Sequence, residues 1–247
     1  MNNIKLVIEY DGTNYAGWQK QKKDKTVQET LKRAIESVVN EEVKLIGAGR
    51  TDSGVHARGQ VANFKTSATI PTTKLAQAIN FHLPRDIAVR SARRVSKGFH
   101  SQYSAKSKIY RYTVLNHTVR NAINRNICYQ YCAPLNIEKI QQASKIIIGR
   151  HDFSTFKSKS RSEKEEKDPV RTIKMLEVVK KGRYILFTIE ADGFLYKMVR
   201  AIVGTLLEVG RRKMSLEEFD RVVKAKNRSC AGVSVPASGL CLLRVKY

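Results

Sequence analysis

Residues 4–10, IKLVIEY, alternate apolar and polar side chains with a period of two, the mark of a strand with one buried face. The next stretch changes period. Over 26–40, TVQETLKRAIESVVN, the residues Val27, Leu31, Ala34, Ile35 and Val38 fall on one face of a helix, opened by a Thr26–Glu29 capping box. VKLIGA (43–48) and GQVANFK (59–65) read as strands around a glycine-rich loop. A helix follows over 72–82 with Leu75, Ala78 and Ile79 inward, and DIAVRSARRV (86–95) is strand-like again. The order β-α-β-β-α-β is the ferredoxin-like one.

The second half nearly repeats that order, although no repeat is visible in the residues themselves. Strands are expected at 108–115 and 126–132, and a helix from Asn136 to Ile148 that stops at Gly149. Strands at 170–180 and 183–191 are joined by a KKG turn. Helices at 194–209 and 215–226 follow, the latter opened by a Ser215–Glu218 capping box, and LCLLRVKY is the last strand. The fold class expected is α+β. Two ferredoxin-like halves, 1–104 and 105–247, form one continuous mixed, mainly antiparallel sheet, with helices packed on it and an active-site cleft at the junction. The stretch KSKSRSEKEEKDP (157–169) has almost no apolar content and reads as a mobile, solvated surface loop.

Charge changes the picture from fold to partner. Forty-six Lys and Arg against 22 Asp and Glu leave a formal net charge of +24 and a pI near 10.1 over 247 residues. Such an excess concentrates polyanions around the molecule. An anionic membrane would be met by one basic amphipathic helix or a polybasic tail. Here the cations are spread along the whole chain, which favours nucleic acid. The N-terminus enters a strand pattern at once, with no signal-peptide pattern, and no window approaches the ~18 apolar residues of a membrane span. Cys128, Cys132, Cys230 and Cys241 show no metal or redox spacing and read as reduced, cytosolic thiols. Cys128 and Cys132 alternate with aromatics, as strand residues facing one side would.

The chemistry-bearing stretch is GAGRTDSGVHARG, where Gly47, Gly49, Gly54 and Gly59 surround Asp52 together with Arg50, His56 and Arg58. A glycine-dense loop between strands is a typical place for function. From pattern alone, a tight turn whose Asp caps a backbone amide explains it as well.

GRTDSGVHA closely resembles the signature of the tRNA pseudouridine synthase A family, whose commonest form has Ala where Ser53 stands. The resemblance covers nearly the whole chain. YDGTNYAGWQKQ (10–21), FHSQYSAKSKIYRYTV (99–114), GFLYKMVRAIVGTLLEVG (193–210) and AGVSVPASGLCLLRVKY (231–247) are similar to further family blocks, in order. It implies an isomerase that breaks the C1′–N1 bond of a uridine in tRNA and rejoins the uracil through C5. No metal, redox partner or nucleotide cofactor is needed. The family's targets are positions 38, 39 and 40 of the anticodon arm, and it works as a cytoplasmic homodimer.

The same resemblance assigns roles. Asp52 matches the catalytic aspartate, which either attacks C1′ as a nucleophile or abstracts the 2′ proton to give a glycal. Either route needs an ionised carboxylate beside a cation. Arg200, at the margin of a helix stripe formed by Leu195, Met198, Val199, Ile202 and Leu206, matches the ion-pair partner; by position alone it could be a surface arginine. The family has Asn where Ala201 stands and often His where Lys197 stands. Gly204, one turn on, costs helix stability of roughly 1 kcal/mol relative to Ala, as though another backbone passed close by. Tyr110 matches the tyrosine that stacks on the extruded base, although with Tyr112 it would also serve as an ordinary core aromatic. Arg50 either fills the space the base vacates or clamps a phosphate, and Arg58 is a further substrate-binding candidate. His56 reads as a hydrogen-bonding member of the loop rather than a proton shuttle. Two competitors remain: an RNA-binding protein without catalysis, built from two ferredoxin-like modules, and a relative that binds tRNA but has lost activity. The first lacks an RNP1-like run, and the second is disfavoured by the presence of Asp52, Tyr110 and Arg200 together.

Overall fold

The computed structural model describes residues 1–159 and 168–247. Most of the loop expected over 157–169 therefore lies outside the described residues. The chain forms two compact units, Met1–Lys106 with Cys241–Tyr247, and Ser107–Leu240.

The first unit runs β1 (Asn2–Tyr10), α1 (Val27–Val39), β2 (Ile46–Gly47), β3 (His56–Thr66), α2 (Thr72–Phe81) and β4 (Ile87–Val95). The expected β-α-β-β-α-β order is present. β1 is the centre of an antiparallel trio, with Ile4 opposite both Phe64 of β3 and Arg94 of β4. Its period-two pattern is the cause: Ile4, Leu6, Ile8 and Tyr10 are all buried. α1 buries Val27, Leu31, Ala34, Ile35 and Val39, so Val39 takes the inward place expected of Val38. In α2 only Leu75 and Ile79 are buried, and Ala78 is half-exposed.

The Thr26–Glu29 box is half made. Thr26 Oγ1 accepts the Glu29 amide N–H at 3.4 Å, but the Glu29 carboxylate turns to Lys20 at 2.9 Å and Arg33 at 3.2 Å. The strand expected over 43–48 shrinks to two residues. Its first half is bonded to α1 side chains instead: the Val43 N–H donates to Glu36 at 3.0 Å, and Gln28 donates to the Leu45 carbonyl at 2.9 Å.

The second unit runs β5 (Ser107–Asn116), β6 (Tyr129–Tyr131), α3 (Ile137–Ile146), β7 (Gly149–Asp152), β8 (Val170–Lys181), β9 (Tyr184–Ala191), α4 (Met198–Gly210) and α5 (Leu216–Lys224). β5, β9, β8 and β7 are neighbours in that order and antiparallel, with β6 parallel to β5. Ser215 and Glu218 complete the capping box of α5 in both directions. Three details differ from expectation. Gly149 does not stop a helix; at φ +112° it opens β7, which pairs with β8. β6 spans only three residues, so Cys128 and Cys132 flank it, the first buried and the second exposed, rather than sharing a face. α4 begins at Met198, because Lys197 takes a left-handed conformation at φ 58° and ends the preceding turn.

The chain returns to the first unit as β10 (Leu240–Lys246). β10 runs parallel to β3, with Cys241 opposite His56 and Leu242 opposite Ala57. β1 occupies one whole edge of β3, so β10 and β2 share the other: β10 at its first residues, β2 further along at Asn63 and Ala62.

Candidate active site

The Asp52 loop is the connection between β2 and β3. Thr51 is buried, Asp52 half-buried, and Arg50 exposed; Arg58 is exposed within β3, between buried Ala57 and Gly59. The loop is braced by the segment that follows β1. The Thr51 carbonyl accepts the Trp18 N–H at 3.1 Å, and the Thr51 hydroxyl lies 2.8 Å from the Tyr10 phenol. On the other side of Asp52, the Ser53 hydroxyl and the Gly54 N–H both donate to the Tyr15 carbonyl, at 3.2 and 3.3 Å. The Val55 N–H closes a turn onto the Asp52 carbonyl at 3.2 Å, with Gly54 at φ 76°. A carboxylate is thus presented from a backbone fixed on both flanks. Burial pushes the Tyr10 phenol above its ordinary range, so it stays protonated as a hydrogen-bond partner.

Of the loop's own glycines, Gly54 is the one with positive φ. Gly47 makes room for the Trp18 indole, and Gly59 for the Leu243 carbonyl of β10. Outside the loop, Gly17 has both demands at once. It sits at φ +92°, and a Cβ there would lie 2.5 Å from the Thr51 carbonyl oxygen and 3.0 Å from the Asp52 carbonyl carbon. Gly17→Ala is expected to lower unfolding stability by about 1–3 kcal/mol through backbone strain and overpacking. An unchanged urea midpoint would show that Gly17 does not brace the loop.

His56, the first residue of β3, is buried, with Nδ1 3.1 Å from the Gly12 amide nitrogen and 3.1 Å from a carboxylate oxygen of Asp11. Burial pulls the Asp11 carboxyl upward, but the Thr13 hydroxyl and amide together with His56 outweigh it and hold the group below its usual range. His56 therefore ties the loop's far end to the start of the bracing segment. Gln60 ties the near end, donating to the Gly49 carbonyl at 2.9 Å.

The second unit carries Tyr110 and Arg200. Tyr110 on β5 is 7% exposed and meets Phe194 edge-on, with centroids 5.1 Å apart. Tyr112, two residues on, is fully buried and donates its hydroxyl to the Pro236 carbonyl at 2.7 Å. Burial raises the Tyr112 phenol well above its ordinary range, opposed by the nearby Arg200 charge.

Arg200 does not lie on the margin of an amphipathic stripe. α4 is buried at every position except Arg200 and Glu208, so it is a core helix. The segment 231–236 crosses it. Arg200 Nε donates to the Val235 carbonyl at 2.7 Å, while the Val235 N–H donates to the Arg200 carbonyl at 3.2 Å. The Gly232 N–H bonds to the Thr205 hydroxyl at 3.0 Å, and the Val233 carbonyl packs directly on Gly204. The close backbone approach expected at Gly204 is this crossing. From the outer side Arg228 donates to the carbonyls of Ala231 and Gly232 and to the Ser234 hydroxyl, at 3.3, 3.1 and 3.0 Å. Neither Arg228 nor the bracing by residues 11–18 was legible beforehand. The small-residue run AGVSVPASG was the available signal for the crossing segment.

Arg50, Asp52 and Arg58 therefore belong to one loop and the strand after it in the first unit, and Tyr110 and Arg200 to β5 and α4 of the second. A half-buried carboxylate on a fixed backbone suits attack on, or electrostatic stabilisation of, an electron-poor sugar carbon.

Residues 6–104 and 143–247 match the family model described as tRNA pseudouridine synthase. The matched residues include Asp52 and Arg200, and Tyr110 falls in the gap between them. A curated tRNA pseudouridine synthase A of Thermoanaerobacter sp. is 49% identical over 247 residues, covering 100% of both chains. The tRNA pseudouridine synthase A of Acetivibrio thermocellus is 47% identical, again over 100% of both. Among solved structures, a chain of a Cbf5–Nop10–Gar1 complex is 13% identical, with a TM-score of 0.40 over 96% of this chain and 57% of that one.

Proposed function

The chain belongs to the tRNA pseudouridine synthase family, and from that premise we propose that it isomerises uridine to pseudouridine at positions 38, 39 and 40 of the tRNA anticodon stem-loop. The isomerase class follows from the family. The positions are our reading, supported by the full-length resemblance to the A-type enzymes. The observation that carries the site assignment is the bracing of Asp52, whose backbone neighbours are bonded to Tyr15 and Trp18.

In the proposed reaction the C1′–N1 bond breaks and positive character grows on C1′. The Asp52 carboxylate either bonds to that carbon or takes the 2′ proton. The uracil turns and C5 bonds to C1′ as the Asp52–C1′ bond breaks, or as Asp52 returns its proton to C2′; the C5 proton is lost to solvent, and N1 regains a proton. Composition is unchanged, so no cofactor enters. The roles proposed for the other residues follow from their chemistry. Arg200 is the ion-pair partner of Asp52, Tyr110 stacks on the extruded base, Arg50 enters the space the base leaves, and Arg58 binds the substrate backbone. Homodimeric action in the cytoplasm, which the full-length resemblance to the A-type enzymes implies, completes the reading, and a net charge of +24 suits tRNA.

The test is release of label from C5 of uridine in tRNA transcripts. Label confined to positions 38, 39 and 40 should be released by the purified chain without added cofactor. Release from other uridines, with none from these three, would overturn the assignment of target.

A further inference from the structure

We propose that Tyr103 is a stacking platform for an unpaired base of the tRNA, a contact that rests on the tRNA reading above and adds to it a base-binding residue on the first unit. Tyr103 is 80% exposed, against 7% for Tyr110. Its ring lies flat on the His100 imidazole, with centroids 4.3 Å apart and planes 27° from parallel. His100 Nδ1 accepts the amide N–H groups of Gln102 and Tyr103, each at 3.2 Å, and the His100 N–H donates to the Ser104 hydroxyl at 3.2 Å. The turn is closed on itself and sets the orientation of the ring it displays.

Behind the turn stands a buried polar network unusual for a sheet face. Asn3, Asn63 and Ser101 are 2%, 2% and 0% exposed. Asn63 accepts the Ser101 N–H at 2.8 Å and donates to Asn3 at 3.0 Å, and Asn3 donates to the carbonyls of Ser96 and Phe99, each at 2.9 Å. The Ser101 hydroxyl donates to the Ile46 carbonyl at 2.6 Å. Buried amides and hydroxyls cost free energy unless all their bonds are made. Here the bonds converge on holding Phe99 to Ser101 in place, immediately before Tyr103, whose exposed ring contributes little to the core.

The surroundings select the occupant. Between Asp86 and Glu138 the chain has no acidic residue, while it carries nine Lys and Arg. Lys97 and Lys106, on either side of the turn, are exposed. A solvent-facing aromatic held by its own turn, with exposed cations and no carboxylate nearby in sequence, is the arrangement by which proteins stack single-stranded bases while neutralising the backbone.

Binding of an unmodified tRNA transcript to the full chain, measured by fluorescence anisotropy over a salt series, tests this. Tyr103→Ala should raise Kd about tenfold, within the roughly 5- to 150-fold that ~1–3 kcal/mol of stacking per base represents. Tyr103→Phe and Tyr103→Trp should stay within about twofold of wild type, because the ring and not the hydroxyl makes the contact. The slope of log Kd against log salt should be the same for Tyr103→Ala as for wild type, since no phosphate contact is removed. A Kd for Tyr103→Ala within twofold of a tightly binding wild type overturns the platform alone. So does a change of mass in sedimentation equilibrium on Tyr103→Ala, which would make the ring an interface between copies of the chain. A wild type that neither binds the transcript nor releases label sinks the tRNA reading and the platform with it.

Discussion

Asp52→Asn is expected to reduce C5 label release by about three orders of magnitude or more, the scale on which loss of a reacting group acts. The amide has the size and shape of the carboxylate but neither its charge nor its nucleophilicity. It can neither bond to an anomeric carbon nor accept a proton from the 2′ position. The loop should survive, because its bracing bonds run through the backbones of Thr51 and Gly54 and the hydroxyls of Thr51 and Ser53. Affinity for tRNA should be kept or slightly tightened, since one negative charge is removed from a chain of net charge +24. Label release and anisotropy on the same preparation separate the two effects. Normal turnover by Asp52→Asn would remove Asp52 from the chemistry.

Gly204→Ala is expected to destabilise the fold, although the same change at an exposed helical site gains about 1 kcal/mol. A Cβ at Gly204 would stand 1.9 Å from the Val233 carbonyl oxygen and 3.1 Å from its carbon. That oxygen belongs to a backbone with little freedom to retreat. The crossing segment is bonded to Arg200 through Val235, to Thr205 through Gly232, to Tyr112 through Pro236 and to Arg228 on its outer side. Overpacking of this kind costs about 1–3 kcal/mol, and for a chain of this length each kcal/mol lowers Tm by roughly 2–4 °C. Because Val235 is the acceptor for the Arg200 guanidinium, a displaced segment also releases Arg200, so label release should fall along with Tm. A midpoint at or above wild type in thermal unfolding would show that the segment moves freely and does not hold Arg200.

The long elements were legible because burial on one face imprints a period. β1, α1 and α5 all declare themselves by spacing and caps. β2, β6 and β7 were truncated or missed because strands of two to four residues have no room for a period, and their partners are set by the fold. α4 illustrates a different limit. Its stripe was read correctly as far as it went, but a helix enclosed on nearly all sides carries apolar residues off the stripe as well, and Arg200 was placed at a margin that does not exist. The significance of Asp52 came from the resemblance, since the loop's composition fits a structural turn equally well. Of what holds the loop, only the hydrogen-bonding place of His56 was legible, and not its partners. The close approach of the left-handed Gly17 to Thr51, the pairing of His56 with Asp11 and, at the 99–101 turn, the Asn3–Asn63–Ser101 network are contacts between positions far apart in the chain, which leave no local trace.

The pairing of β10 with the first residues of β3 has a consequence for how the molecule comes into being. His56 and Ala57, which end the Asp52 loop, find their parallel partners in Cys241 and Leu242. A ribosome makes the loop early and those partners late. A nascent chain halted before residue 240 would contain every side chain proposed for the site and still lack the strand that pins the loop's exit. Non-local parallel pairing is also among the slower contacts to form. Catalytic competence should therefore appear only once residues 241 and 242 have been made and paired, and translation products interrupted before them should be inert toward RNA chemistry however well their earlier strands have assembled.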